Sequence, residues 1–144
     1  MTVLAPEDRL WALRRGAGGT RAVALATAVG VAGALAAGPR PVADLAEELD
    51  ADEDTLRRLL RALASEGVFA EEEPGVFRNT EASELLRSGW GSFAHLFGGA
   101  WFRATGALDA SGQQSFPRLF GANFWSWLAA NPGARMRLEG HTDE

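Results

Sequence analysis

The 144-residue chain has no cysteine, no lysine and no tyrosine, and it has only two histidines. Without cysteine there are no disulfides, no thiolate chemistry and no cysteine-based zinc sites, and the redox compartment stays open. All 14 basic residues are arginines, a bias that suits a GC-rich coding sequence and carries no mechanism. Neither His95 nor His141 has a carboxylate pair at ligand spacing, so no metal site is expected. No Gly-x-Ser-x-Gly signature supports a serine nucleophile. Long apolar runs are also scarce. The uncharged stretch Ala22 to Ala37 spans sixteen residues, mostly alanine and glycine, short of the roughly 20 strongly apolar residues that span a bilayer. Glu7 and Asp8 precede it, unlike a secretory leader. The expectation is a cytoplasmic protein with no membrane partner.

What is present suffices for one globular domain with a core, at 47% hydrophobic residues and a net charge of -5. Helices are expected over 7–15 and 20–37, separated by a loop at "RRGAGGT", residues 14–20. The second carries small residues on every side, which suits close approach by another helix in a core or at a subunit interface. "GPRP" at 38–41 punctuates, with Gly38 closing one helix and Pro41 opening the next. Val42, Leu45, Ala46 and Leu49 then recur at i, i+3, i+4, i+7, and Leu56, Leu59, Leu60 and Leu63 form a second apolar face ending near Gly67. Phe69–Glu71 and Val76–Arg78 flank Pro74-Gly75 and predict a hairpin. Two amphipathic helices followed by a hairpin make a winged helix. Thr80 is placed to cap a further short helix, after which "SGWGS" reads as a Gly-rich break before an aromatic-dense region.

A winged helix raises the question of DNA. Between Asp44 and Arg78, however, four arginines face eleven acidic residues, a net of -7, and the wing offers Glu71, Glu72 and Glu73 in a row. Duplex affinity comes mainly from neutralising phosphates, so this unit would repel the backbone it should grip. Glu53 to Arg57 and Asp54 to Arg58 are also i,i+4 pairs in the favourable order, so these arginines read as a solvated helix face. No nucleic-acid partner is expected, and a DNA-binding regulator stands as the alternative reading.

The stretch from "LWALRRGAGGTRAV" through "VADLAEEL" to "FRNTEASELLRS" resembles the N-terminal dimerisation region of S-adenosylmethionine-dependent small-molecule O-methyltransferases, the group acting on plant phenolics and bacterial polyketides. The likeness continues in "FPRLFGANFWSWLAANPGARMRLEGHTDE". It implies a mainly α fold: a winged-helix dimerisation domain with one small β-hairpin, flanked by N-terminal interface helices and C-terminal pocket helices. It also implies a homodimer. By this reading residues 1–40 are dimerisation helices, 41–88 the winged-helix unit, and 89–144 aromatic-rich helices leading toward a cofactor-binding domain that these residues do not include.

The residues themselves agree with that last implication. A Rossmann-like cofactor site needs a Gly-rich turn between a strand and a helix, and "RRGAGGT" follows no strand. No cofactor is expected on this chain, S-adenosylmethionine belonging to the full-length family. The resemblance puts the general base on a histidine of the other domain, so no catalytic residue is assigned here and the chain alone is expected to be inactive.

Aromatic residues crowd the segment from Trp90 to Trp127. Most are expected to be core, yet flat ligands are bound by the same residue types with a few polar groups for orientation. In the resembling family this segment covers a planar acceptor. The substrate-binding candidates are accordingly Trp101, Phe102, Phe120, Asn123, Phe124 and Trp127, together with His141, which stands where the family commonly has an acceptor-facing methionine. A small planar aromatic ligand and a separate catalytic methyltransferase domain or chain are the other expected partners. A stand-alone ligand-binding or cyclase-like protein remains a further alternative.

Overall fold

In the computed structural model, which describes residues 4–108 together with Ser126, Ala129 and Ala130, the first helix (α1, Pro6–Val29) runs without interruption. Pro6 opens it and Glu7 and Asp8 occupy its first turn, where fixed φ and negative charge both favour a helix start. The loop expected at 14–20 is therefore absent. Glycine costs about 1 kcal/mol relative to alanine in a helix interior. The strong helix formers on either side and the packing of the C-terminal half of α1 outweigh that cost at Gly16, Gly18 and Gly19. The helix expected over 20–37 is instead divided at Gly30, which turns left-handed at φ 91° while its N–H donates to the Ala26 carbonyl at 3.1 Å. A single turn follows (α2, Val31–Ala34).

The winged helix expected from the sequence comes next. Strand β1 (Arg40–Pro41) leads into α3 (Val42–Glu48), and α4 (Glu53–Ser65) begins at Asp52, whose side chain accepts from the Thr55 N–H at 2.8 Å. Helix α4 ends in a Schellman motif. The Val68 N–H donates to the Leu63 carbonyl and the Gly67 N–H to the Ala64 carbonyl, at 2.9 and 3.0 Å, a geometry that puts Gly67 at φ 76°. Strands β2 (Phe69–Glu73) and β3 (Val76–Asn79) close the hairpin around Pro74-Gly75. The sheet order is β1-β3-β2, all antiparallel, with Arg40 opposite Phe77 and an irregularity between Glu71 and Glu73. β1 had no sequence signal: two residues ending in proline carry no alternation, and proline is tolerated because this is an edge.

Both predicted apolar faces point inward. Leu45, Leu56, Leu60 and Leu63 are buried with Val31, Leu35, Phe69 and Phe77, so α2, α3, α4 and the hairpin share one core. A polar latch then fixes the exit from the wing. Thr80 donates to the Val68 carbonyl at 2.6 Å and forms a capping box with Ser83, while Asn79 donates to the Ala32 carbonyl at 2.9 Å. These contacts start α5 (Glu81–Leu85) and are what the "RNTEAS" stretch does physically. Two further helices follow, α6 (Gly89–Gly98) and α7 (Ala100–Gly106). The expected break at "SGWGS" is thus the start of α6, with Ser88 at its N-cap.

Ion pairs bind the wing to α4. Arg61 forks onto Glu71 at 3.0–3.1 Å, and the Glu71 carboxylate also accepts from the Gly75 N–H at 2.8 Å. The Arg61 guanidinium first, and the Gly75 amide second, hold the Glu71 carboxyl below the usual glutamate range. Asp52 is likewise held low by its hydrogen bonds to Thr55. Groups with depressed folded-state pKa values stabilise the fold above their unfolded values and lose that contribution as pH falls through the folded ones. The melting temperature should therefore fall on acidification below about pH 4. Glu71→Gln should lower it at neutral pH and flatten the acid limb, as a pH series of thermal unfolding followed by circular dichroism would show.

Candidate functional site

Helix α6 crosses α1 through small residues. A Cβ on Gly98 would overlap the Ala24 Cβ and stand 2.6 Å from the Thr20 carbonyl oxygen. Gly91 is similarly tight, with the Leu86 carbonyl and the Thr27 methyl in the space a side chain would need. Arg21 completes the crossing by donating to the Gly98 carbonyl at 3.1 Å, near the end of α6. This close approach turns the large side chains of α6 aside. Trp90, Phe93, Phe97 and Trp101 form a continuous ladder, with ring centroids 5.3, 4.3 and 6.4 Å apart in successive pairs.

The ladder makes one wall of a cleft of about 660 Å³, within the roughly 300–1,000 Å³ of small-molecule sites. Phe102 and Thr105 of α7 extend that wall, Ala17, Gly19, Thr20 and Val23 of α1 face it, and Leu86 contributes at one side. Trp90, Phe93 and Phe97 are each 42–51% exposed, large values for aromatic rings on one helix. Both hydroxyls in the lining are engaged as donors: Thr20 to the Gly16 carbonyl at 2.8 Å and Thr105 to the Trp101 carbonyl at 2.9 Å.

Of the substrate-binding candidates, Trp101 and Phe102 line this cleft. Phe120, Asn123, Phe124, Trp127 and His141 lie outside the described residues. Sequence reasoning missed the α1 wall. Thr20 and Val23 are about seventy residues from the aromatic ladder in the chain and gave no local signal beyond a run of small residues.

Elsewhere the arrangement offers little for group transfer. Among the described residues no three histidine, aspartate or glutamate side chains are placed to hold a metal ion. The glycines at 16–19 lie inside α1 and the strands are short and antiparallel, so the described residues do not fit a dinucleotide-type cofactor cradle. No described helix is long and apolar enough to cross a membrane. The would-be recognition surface is self-paired. Arg57 bonds Glu53, Arg58 lies 3.2 Å from Asp54, Arg61 is held by Glu71, and Arg78 lies 2.8 Å from Glu72.

Comparison with known proteins agrees with this geometry. Residues 15–89 match the family model described as the O-methyltransferase dimerisation domain. The chain is 34% identical over 122 residues to phenazine O-methyltransferase PhzM of Lysobacter antibioticus, covering 80% of this chain and 36% of that protein. Its fold matches the crystal structure of LaPhzM with a TM-score of 0.83 and 31% identity, over 94% of this chain and 43% of that one. A further solved neighbour is NcsB1, an O-methyltransferase from neocarzinostatin biosynthesis in complex with S-adenosylmethionine and 2-hydroxy-5-methyl naphthoic acid. It matches with a TM-score of 0.61 and 28% identity, over 84% of this chain and 40% of its own. The chain thus spans well under half the length of these relatives.

Proposed function

The chain belongs to the O-methyltransferase dimerisation-domain family, and from that premise we propose that it pairs with a second copy and covers the acceptor of a methyltransferase acting on small aromatic natural products. The observation that carries the acceptor half is the aromatic cleft between α1, α6 and α7, which has the size and chemistry to hold a flat ring system. Residues 1–40 supply the pairing helices, 41–88 the scaffold and 89–144 the covering segment. Trp101 and Phe102 contact the ligand, joined by Phe120, Asn123, Phe124, Trp127 and His141. Methyl transfer belongs to a catalytic domain or chain that holds S-adenosylmethionine. Among the described residues no Gly-rich strand-turn-helix offers it a site. Location in the cytoplasm accords with this role.

The same reading gives the winged helix a structural duty and no duplex DNA partner. Arg57, Arg58, Arg61 and Arg78 are engaged by its own glutamates and aspartates, and the wing presents Glu73 exposed beyond them.

Tryptophan fluorescence titrated with polycyclic phenols tests the proposal on the isolated chain. Weak saturable quenching is expected, because part of a pocket buries only part of the ligand. Trp101→Phe and Phe124→Ala should each weaken it by about fivefold or more. A flat response, or one that neither substitution alters, would leave these aromatics as packing residues. Calorimetric binding of S-adenosylmethionine would refute the assignment of the cofactor to a separate domain.

A further inference from the structure

Resting on the acceptor-covering role just given, we propose that pairing of two copies and occupation of the aromatic cleft assist each other through the glycine turn of α1, residues 16–19, which a second copy holds closed. Leu10, Leu13, Ala17, Thr20 and Ala24 recur at spacings of three and four, so they share one face of α1. That face has three uses along its length. Ala24 packs on Gly98 at the crossing, Ala17 and Thr20 stand opposite the aromatic ladder, and Leu10 and Leu13 are exposed. The occupant of the leucine end is a second copy: the family is a dimerisation domain, and across a two-fold axis each leucine is withdrawn from water twice.

Between the leucines and the crossing lies the weakest stretch of the helix. Gly16, Gly18 and Gly19 are all helical, and each glycine disfavours the helix about fivefold relative to alanine, roughly a hundredfold for the three. They sit where α1 leaves the body of the domain. From Leu4 to Gly18 every residue is exposed except the half-buried Ala12, whereas Ala24 and Ala26 are buried. Little tertiary packing supports the turn, and local opening is easiest where buried contacts are few. Opening breaks the Thr20 hydroxyl bond to the Gly16 carbonyl and takes Ala17, Gly19 and Thr20 out of the cleft wall. A second copy gripping Leu10 and Leu13 fixes one end of the turn while the α6 crossing fixes the other, so the open state loses freedom that the closed state never had. A ligand held between α1 and the ladder favours the same closed state. Two partners that favour one state favour each other.

Calorimetry, sedimentation and amide hydrogen exchange on the 144-residue chain test this, with a dihydroxynaphthalene as the probe. Leu10→Glu with Leu13→Glu, neither of which lines the cleft, should make the chain monomeric and weaken the probe about tenfold, the loss expected of a turn closed about one-tenth of the time. Saturating probe should in return tighten the unaltered dimer about a hundredfold, tenfold from each protomer, because linkage is reciprocal. The amides of residues 16–20 should exchange faster in the monomer, although opening of one turn scarcely moves the circular dichroism. Adding Gly16→Ala and Gly18→Ala to the monomeric variant should restore most of the lost affinity, since alanine favours the closed turn without a partner. Neither glycine lines the cleft, and a Cβ at either meets nothing within 4 Å among the described residues. A monomer that binds the probe as tightly as the dimer overturns the coupling and leaves the acceptor-covering role standing. A loss that the alanines do not restore would mean that the partner's own side chains complete the cleft, and would overturn the part given to the turn. A double-glutamate variant that stays dimeric overturns the leucine end as the pairing site. If the unaltered chain does not bind the probe, the acceptor-covering role falls and the coupling with it.

Discussion

Gly98→Val is expected to separate α6 from α1 and to abolish ligand binding in the aromatic cleft. The crossing leaves no volume for a Cβ, because the Ala24 side chain and the Thr20 backbone carbonyl already occupy it. Neither is the end of a flexible side chain. Ala24 is 2% exposed and the Thr20 carbonyl belongs to the helix itself, so relief requires the helices to part. Overpacking of this kind costs about 1–3 kcal/mol and occasionally more. Alanine would recover up to about 1 kcal/mol of helix propensity, less at a helix end, so Gly98→Ala should be mildly destabilising and valine clearly so. Parting the helices also breaks the Arg21 bond to the Gly98 carbonyl and removes the α1 wall from the cleft. Gly106→Ala is the matched control, since nothing lies within 4 Å of a Cβ built there. Denaturant unfolding should show a loss for Gly98→Val and none for Gly106→Ala. A valine variant with unchanged stability and ligand affinity would mean that the described crossing is wrong.

The winged helix was legible in the sequence because its signals are local and agree with one another. Leu56, Leu60 and Leu63 keep helical period over a charged opposite face, Gly67 stands where the left-handed cap belongs, and Pro74-Gly75 turns the hairpin. The glycines were the failure. Read as breaks, Gly16, Gly18 and Gly19 lie inside α1, and Gly89 and Gly91 open α6. Propensity alone cannot distinguish a glycine that ends a helix from one that lets another backbone approach, and at Gly91 and Gly98 the second use prevails. The cleft was half legible for a related reason. Aromatics at helical spacing announce themselves, so Trp101 and Phe102 were named, but the small residues opposite are identified only by what packs on them. The Arg61–Glu71 link was invisible for the same reason, being a pair ten residues apart across a turn of the chain.

Leu10→Glu combined with Leu13→Glu is expected to convert a dimer into a monomer at micromolar concentration. The sequence pointed to the first 40 residues as the pairing region, and within it Ala24, Ala26, Val31, Ala32 and Leu35 are buried in the chain's own core. The most exposed large apolar side chains on α1 lie nearer its start, with Leu10 70%, Trp11 54% and Leu13 74% exposed against 37% for Leu25. A leucine fully withdrawn from water contributes about 1.5–3 kcal/mol, and in a two-fold interface each residue is counted twice. The two leucines could therefore supply on the order of 6–12 kcal/mol. If half is realised, its loss is roughly a hundredfold to ten-thousandfold in the dissociation constant. The added carboxylates would also face each other across the axis. Because neither leucine belongs to the buried core cluster, the variant should keep its helical circular dichroism and remain folded. Sedimentation equilibrium gives the decisive reading. An unaltered chain that sediments as a monomer would end the homodimer proposal, and a dimer that survives both glutamates would move the interface away from the start of α1.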